Sequence, residues 1–201
     1  MVQRSSITEW TTCIASDINE GPLQSALRNA RKFGVSEKIR FHLSDGVRNI
    51  PRDFDTLVCA GMGADTMVHI LESAPWLRSE AYRLILQCQS KSPLLRRYLS
   101  ETGWYIRDEV VLRDGKFLYT VMDVLWQPGC QLTAGEWYFP PAMQRCPNGD
   151  AAAYYRYTAK GLRIKVAGQG ENADPELKEA LADLEMLVQN HNLNWLKEEK
   201  P

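Results

Sequence analysis

Apolar positions along the chain switch between two spacings, and the switching lays out an order of strands and helices. Residues 12–16 form a short apolar run that predicts a buried strand. Across 21–33, Leu23, Ala26, Leu27, Ala30 and Phe33 recur three or four apart, the spacing that lines one face of a helix. Gly34 then offers the left-handed conformation that stops a helix. Ile39, Phe41 and Leu43 alternate with Arg40 and His42, which predicts a strand near a sheet edge. Residues 56–60 are largely apolar and predict a strand covered on both faces. Asp65 is placed to cap a helix through Val68, Ile70 and Leu71.

Leu84-Ile85-Leu86 predicts another buried strand, and Pro93 opens a helix through Leu94, Leu95, Tyr98 and Leu99 that Gly103 ends. Residues 105–112 and 117–125 face each other across Arg113-Asp114-Gly115-Lys116, a hairpin signal of the Asp-Gly kind. Strands alternating with helices and closed by a hairpin predict an α/β sheet with a reversed edge strand. Beyond Gln127, Pro128-Gly129, Pro140-Pro141 and Pro147-Asn148-Gly149 punctuate a loop carrying Trp137, Tyr138 and Phe139. Helical patterns follow over 151–167 and 174–196, joined by Gly168-Gln169-Gly170. Leu177, Leu181, Leu184 and Val188 form a stripe too narrow to be a core alone. The expected organisation is a main domain over 1–127, a linker over 128–150, and an antiparallel helix pair over 151–201.

Composition narrows the picture only slightly. The 201 residues are 44% hydrophobic and 24% charged, ordinary values for a globular chain, with a net charge of −1. Any nucleic-acid surface must therefore be a local patch. No run is long and apolar enough to predict a membrane span, and residues 1–6 lack a signal-peptide core. Of five cysteines, Cys13, Cys59 and Cys88 sit in apolar runs as expected of buried free thiols, which fits a cytoplasmic location. His42, His69 and His191 are isolated, so no metal site is expected.

Three segments carry candidate chemistry. Asp17, with Ile18 and Asn19, ends the first strand just before a helix. In doubly wound sheets a carboxylate there accepts hydrogen bonds from ribose hydroxyls; the plainer role is a turn carboxylate. Asp45 and Gly46 end the second strand, where they would meet an adenine or simply form an Asp-Gly turn. Gly61-Met62-Gly63 ends the third, where glycines permit close backbone approach and Met62 offers an apolar surface or packs in the core. Arg156, Lys160, Arg163 and Lys165 lie on one helix near Tyr154, Tyr155 and Tyr157, and acids from Glu171 to Glu185 follow. These bases would meet RNA phosphates, pair with the acids, or do both.

The order and spacing of Ile14-Ala15-Ser16-Asp17-Ile18-Asn19-Glu20-Gly21-Pro22-Leu23, Ser44-Asp45-Gly46, Ala60-Gly61-Met62-Gly63, Arg83-Leu84-Ile85-Leu86-Gln87 and Gly103-Trp104 are specific. They resemble the TrmK family of bacterial tRNA (adenine-N1)-methyltransferases, closely over 12–125 and more loosely over the terminal helix pair. The resemblance implies a Rossmann-like class I methyltransferase sheet, S-adenosyl-L-methionine as cofactor, and tRNA as partner, with adenine 22 methylated at N1. It implies cofactor binding by Asp17, Ile18, Asn19, Asp45, Gly46 and Gly61, and methyl transfer beside Gly61, Met62 and Gly63. A non-catalytic tRNA-binding remnant is the alternative. Two departures stand out. Ala64 replaces a glycine usual in the family, and the family's first strand, with its cofactor loop, has no counterpart here. That strand is central, between those ending at Asp17 and Ala60. Its lack predicts a re-paired sheet, a substitute segment, or a fragment of a longer protein; the fragment is the preferred expectation.

Overall fold

The computed structural model describes residues 12–145, 148–190, 193 and 196. Residues 1–6, Cys146, His191 and much of the end of the second predicted terminal helix lie outside those residues. The chain divides into two compact units, Met1–Asp53 with Glu72–Ala74, and Phe54–Leu71 with Pro75–Pro201.

In the first unit, β1 (Cys13–Asp17) pairs in parallel with β2 (Ile39–Leu43), from Cys13 opposite Ile39 to Asp17 opposite Leu43. The intervening helix α1 (Glu20–Lys32) ends as its glycine predicts. Gly34 stands at φ +69°, the Val35 amide donates to the Ala30 carbonyl at 2.9 Å, and the Gly34 amide donates to the Arg31 carbonyl at 3.1 Å. That pair of bonds is a Schellman motif, which satisfies carbonyls the helix would leave bare. Two expectations need correction. Strand β1 is not buried, for Cys13 is exposed, and Phe33 is 73% exposed rather than part of a covered helix face. Among the described residues β1 is hydrogen-bonded along one edge only, so less of it is enclosed than its apolar sequence implies.

The second unit holds a four-stranded sheet in the order β3-β4-β6-β5. Strand β3 (Thr56–Gly63) runs parallel to β4 (Arg83–Ser90), and α2 (Ala64–Glu72) begins between them. Helix α3 (Ser92–Glu101) leads to β5 (Trp104–Asp114) and β6 (Phe117–Trp126), the predicted hairpin with the reversed strand. Its turn is one residue later than the Asp-Gly signal suggests. Asp114 pairs with Phe117, leaving Gly115-Lys116 as the loop, with Gly115 supplying the positive φ of +56°. Positive φ at the first loop residue alone is the type II′ pattern.

The six strands thus form two sheets rather than one re-paired sheet, and no described segment substitutes for the missing strand. The consequence is visible on β3. Cys59 is buried but Val58 is 59% exposed, so this strand is covered on one face, not two. Its covered face continues through Leu84, Leu86, Met122 and Val124, all fully enclosed. These side chains fall on one side of the sheet by period-two alternation and by their cross-strand register.

After the sheet, α4 (Pro141–Gln144) interrupts the Pro-rich stretch, and α5 (Gly149–Gln169) and α6 (Pro175–Asn190) form a helical hairpin. The Asn148 side chain caps α5 by accepting from the Ala151 amide at 2.8 Å. Phe139 is fully buried and meets Tyr155 edge-on at 5.4 Å, within a core that Val111 of β5 shares with Leu162 and Leu184 of the two helices. Beneath this core lies a buried ion pair. Arg96 and Glu109 are both enclosed, 2.8 Å apart, and Arg96 also donates to the Trp137 carbonyl at 2.7 Å and to the Tyr154 hydroxyl at 3.0 Å. One guanidinium thereby ties α3, β5, the loop and α5 together.

Candidate active site

The tips of β1 and β2 are built from short-range bonds that fix two carboxylates. Asp17 Oδ1 accepts from the Asn19 amide at 2.8 Å, closing a turn that starts α1. The Asp17 carbonyl accepts from the Ser44 amide at 2.9 Å, and Ser16 Oγ donates to the Gly46 carbonyl at 3.1 Å. Gly46 stands at φ +58°, a conformation that glycine takes without strain. These bonds bring Asp17, Ile18 and Asn19 beside Asp45 and Gly46 at the carboxyl ends of adjacent parallel strands. Ile18 is 63% exposed, and Asp45 pairs with Arg48 at 3.0 Å. Asp17 Oδ2 makes no hydrogen bond among the described residues, leaving it open to a hydroxyl donor.

Gly61, Met62 and Gly63 lie in the second unit and are the end of β3 itself rather than a separate turn. Ala60 pairs with Gln87 and Met62 with Cys88, so Gly61 is an extra residue in the ladder, a β-bulge. Its φ of +76° requires glycine. The Gly61 amide donates to Gln87 Oε1 at 2.8 Å. Ala64 opens α2 fully buried and outside the left-handed region, so the substituted glycine causes no backbone strain here. Asp65 is not the helix cap that the sequence suggests. It sits within the first turn of α2 and pairs with Lys91 Nζ at 2.7 Å. Lys91 takes φ +59° at the head of α3, the single non-glycine residue with positive φ among the described residues.

The four candidate RNA contacts on α5 diverge. Lys160 and Lys165 are exposed, with Tyr157 also 75% exposed. Arg163 pairs with Glu185 of α6 at 2.8 Å, and Arg156 donates to the Leu196 carbonyl at 3.2 Å. Tyr154 and Tyr155 turn inward, where burial pushes both phenols above their ordinary pKa. On α3, Arg96 is fully enclosed and Arg97 pairs with Glu101 and Glu176. Sequence reading missed Arg96's enclosure. Its position on the same helical stripe as Leu95 and Leu99 was the available signal.

Other chemistry is sparse. Burial pushes the Cys59 thiol up to about 11 and raises that of Cys88, which keeps both protonated and unreactive. No group of three or more metal-ligating side chains occurs among the described residues, and no described helix is long and apolar enough to cross a membrane. A cavity of about 170 Å³ between Trp104, Leu132 and Pro140 lies at the opposite end of the four-stranded sheet from Gly63. Its Ser100 hydroxyl already accepts from the Leu132 amide at 2.7 Å.

A family model described as a methyltransferase domain matches residues 3–122. The chain belongs to that methyltransferase-domain family. It is 33% identical over 110 residues to the tRNA (adenine(22)-N(1))-methyltransferase of Bacillus subtilis, covering 54% of this chain and 46% of the relative. The chain spans about half the length of the curated relatives it matches. Among solved structures it is similar to Streptococcus pneumoniae Sp1610, with a TM-score of 0.73 and 26% identity over 90% of this chain and 81% of that one. Sp1610 has also been solved in complex with S-adenosyl-L-methionine, and that form superposes with a TM-score of 0.71 at 26% identity, covering 85% and 81% of the two chains. The Bacillus subtilis m1A22 tRNA methyltransferase TrmK shares the fold, with a TM-score of 0.67 at 24% identity over 92% and 80% of the chains. The Rossmann-like α/β methyltransferase fold is therefore this chain's fold.

Proposed function

We propose that this methyltransferase domain transfers a methyl group from S-adenosyl-L-methionine to N1 of adenine 22 in tRNA. The observation that carries the reading is the open Asp17 carboxylate at the tip of β1, beside the Asp45-Gly46 tip of β2. One Asp17 oxygen is committed to the turn and the other is free to accept a hydrogen bond that a ribose hydroxyl donates. Asp45 and the backbone at Gly46 would meet the adenine of the cofactor, while Ile18 and Asn19 flank its ribose. When bound, S-adenosyl-L-methionine supplies an electrophilic methyl group.

Adenine N1 already carries a lone pair, so the reaction needs no base to remove a proton. The demands on the protein are alignment, exclusion of water and compensation of the positive charge that moves onto the base. Gly61, Met62 and Gly63 would serve the first two, because the two glycines admit a base close to the backbone and Met62 offers it an apolar surface. Carbonyl oxygens of that bulge, or Asp65, would face the developing cation. The target base must also leave its stack, at a cost of a few kcal/mol. Lys160 and Lys165 would take phosphates directly, and Arg156 and Arg163 would do so by exchanging their present partners.

Titration with S-adenosyl-L-methionine and a methylation assay on transcribed tRNA test the reading together, with Asp17→Ala as the comparison. Saturable binding, N1-methyladenine at position 22 and at least a tenfold loss of affinity in Asp17→Ala are expected, since a charge-assisted bond is worth roughly 1.5–3 kcal/mol. Methyl incorporation that survives Asp17→Ala removes that residue from the mechanism. Binding of tRNA with no measurable cofactor binding favours a non-catalytic RNA-binding protein instead.

A further inference from the structure

The Gly61 bulge is held by a side chain, although it has no need of one for satisfaction. Gly61 is exposed, and an exposed amide can donate to water. Its hydrogen bond to Gln87 Oε1 at 2.8 Å therefore adds little net stability, because folding exchanges one good acceptor for another. What the bond does supply is direction. A bulge leaves one residue outside the ladder, and the strand beyond it is re-aimed according to how that residue is fixed. Here the register shifts again between Met62 and Gly63, so the pairing of the end of β3 with β4 is interrupted twice and its direction follows the bulge.

Space is not what demands glycine at this point. A Cβ on Gly61 would meet Gln89 Nε2 at 3.7 Å, an ordinary contact, whereas φ +76° is costly for any residue with a Cβ. Glycine permits this geometry but does not select it, since a residue without a side chain has many alternatives. Selection falls to Gln87, whose position opposite Ala60 places its side chain within reach of the next amide.

We propose that Gln87 is a positioning residue, fixing the Gly61 bulge so that the end of β3 is set for methyl transfer. The inference rests on the proposed function for its catalytic consequence, but the structural half stands apart from it. Gln87 touches neither base nor cofactor in this reading; it acts through the Gly61 backbone. Replacing the carboxamide by a side chain of similar length without an acceptor should leave the fold and substrate affinity in place and lower turnover. A carboxylate at the same position keeps the acceptor and should restore the geometry.

The test compares the wild-type chain with Gln87→Met and Gln87→Glu. Backbone NMR follows the Gly61 amide, and steady-state methylation of transcribed tRNA gives kcat and KM. In Gln87→Met the Gly61 amide should lose its hydrogen-bonded shift and exchange faster. There kcat should fall roughly tenfold or more with KM within about twofold, the loss expected from one mispositioned contact. Gln87→Glu should recover the amide shift and most of kcat. An unchanged Gly61 amide in Gln87→Met, or turnover that Gln87→Glu does not restore, overturns the proposal. If the wild-type chain itself transfers no methyl group, the functional reading fails, and the amide comparison still decides whether Gln87 holds the bulge.

Discussion

Arg96→Met is the substitution with the largest consequence that the structure supports. Arg96 and Glu109 are both fully enclosed, and the guanidinium is the only described donor to the Glu109 carboxylate side chain. Burial by itself would weaken the Arg96 cation, but Glu109 and Tyr154 beside it hold its pKa above the ordinary arginine value. Removing Arg96 leaves a buried carboxylate unpaired, which costs about 3–5 kcal/mol. The Trp137 carbonyl and the Tyr154 hydroxyl lose a donor at the same time. Set against a total stability of about 5–15 kcal/mol for a typical domain, that is a large share. The pair variant Arg96→Met/Glu109→Leu removes the stranded charge and should regain much of the loss. It should stop short of wild type, since the orphaned carbonyl and hydroxyl still cost about 1–3 kcal/mol. Urea unfolding followed by circular dichroism measures each variant, at low and at high salt. Because the pair is enclosed, the Arg96→Met penalty should not shrink with salt, unlike that of the exposed Arg163–Glu185 pair. Strict additivity of the two single losses, or an Arg96→Met loss below about 1 kcal/mol, would refute the buried-pair account.

Two further outcomes follow from burial. Gly135 packs against the backbone of α6, where an added Cβ would fall 2.8 Å from the Asp183 carbonyl carbon and from Leu184 Cα. Gly135→Ala should therefore destabilise by about 1–3 kcal/mol and loosen α6, seen as faster amide exchange around Leu184; native exchange there would contradict the packing. Cys59 has its folded pKa raised by burial from the ordinary 9.0 to about 11, so in that range the unfolded thiol has shed a proton that the folded one keeps. Stability from this group is present below pH 9.0 and falls by about 2 kcal/mol as pH rises to about 11. Urea midpoints should thus drop less steeply in Cys59→Ala over that interval, and parallel slopes would show that the thiol is not shielded.

Much of this protein is local and was readable in order along the chain. The 3–4 spacing of Leu23, Ala26, Leu27 and Ala30 and the stop at Gly34 gave α1, and Arg113 to Lys116 announced the hairpin to within one residue. The acids at Asp17 and Asp45 were legible as strand tips because a strand's end is marked by its own neighbours. Asp65 was misjudged for the converse reason. Its role depends on Lys91, twenty-six positions away, and an acid near a helix start looks the same whether it caps or pairs. Exposure failed in the same way. Residues 12–16 and 56–60 carry apolar side chains that read as buried, but burial belongs to what packs against a strand, not to the strand's composition.

The sequence by itself determined the order of most helices and strands and which residue types end the first three strands, since backbone preference and side-chain periodicity act over a few residues. Only the tertiary structure decided that Gly61 is a bulge held by Gln87, that Arg96 faces Glu109 in the interior, and that Tyr154 turns inward while Tyr157 faces out. Each of those depends on register or packing between segments far apart in the chain, where a shift of one residue exchanges the inner face for the outer.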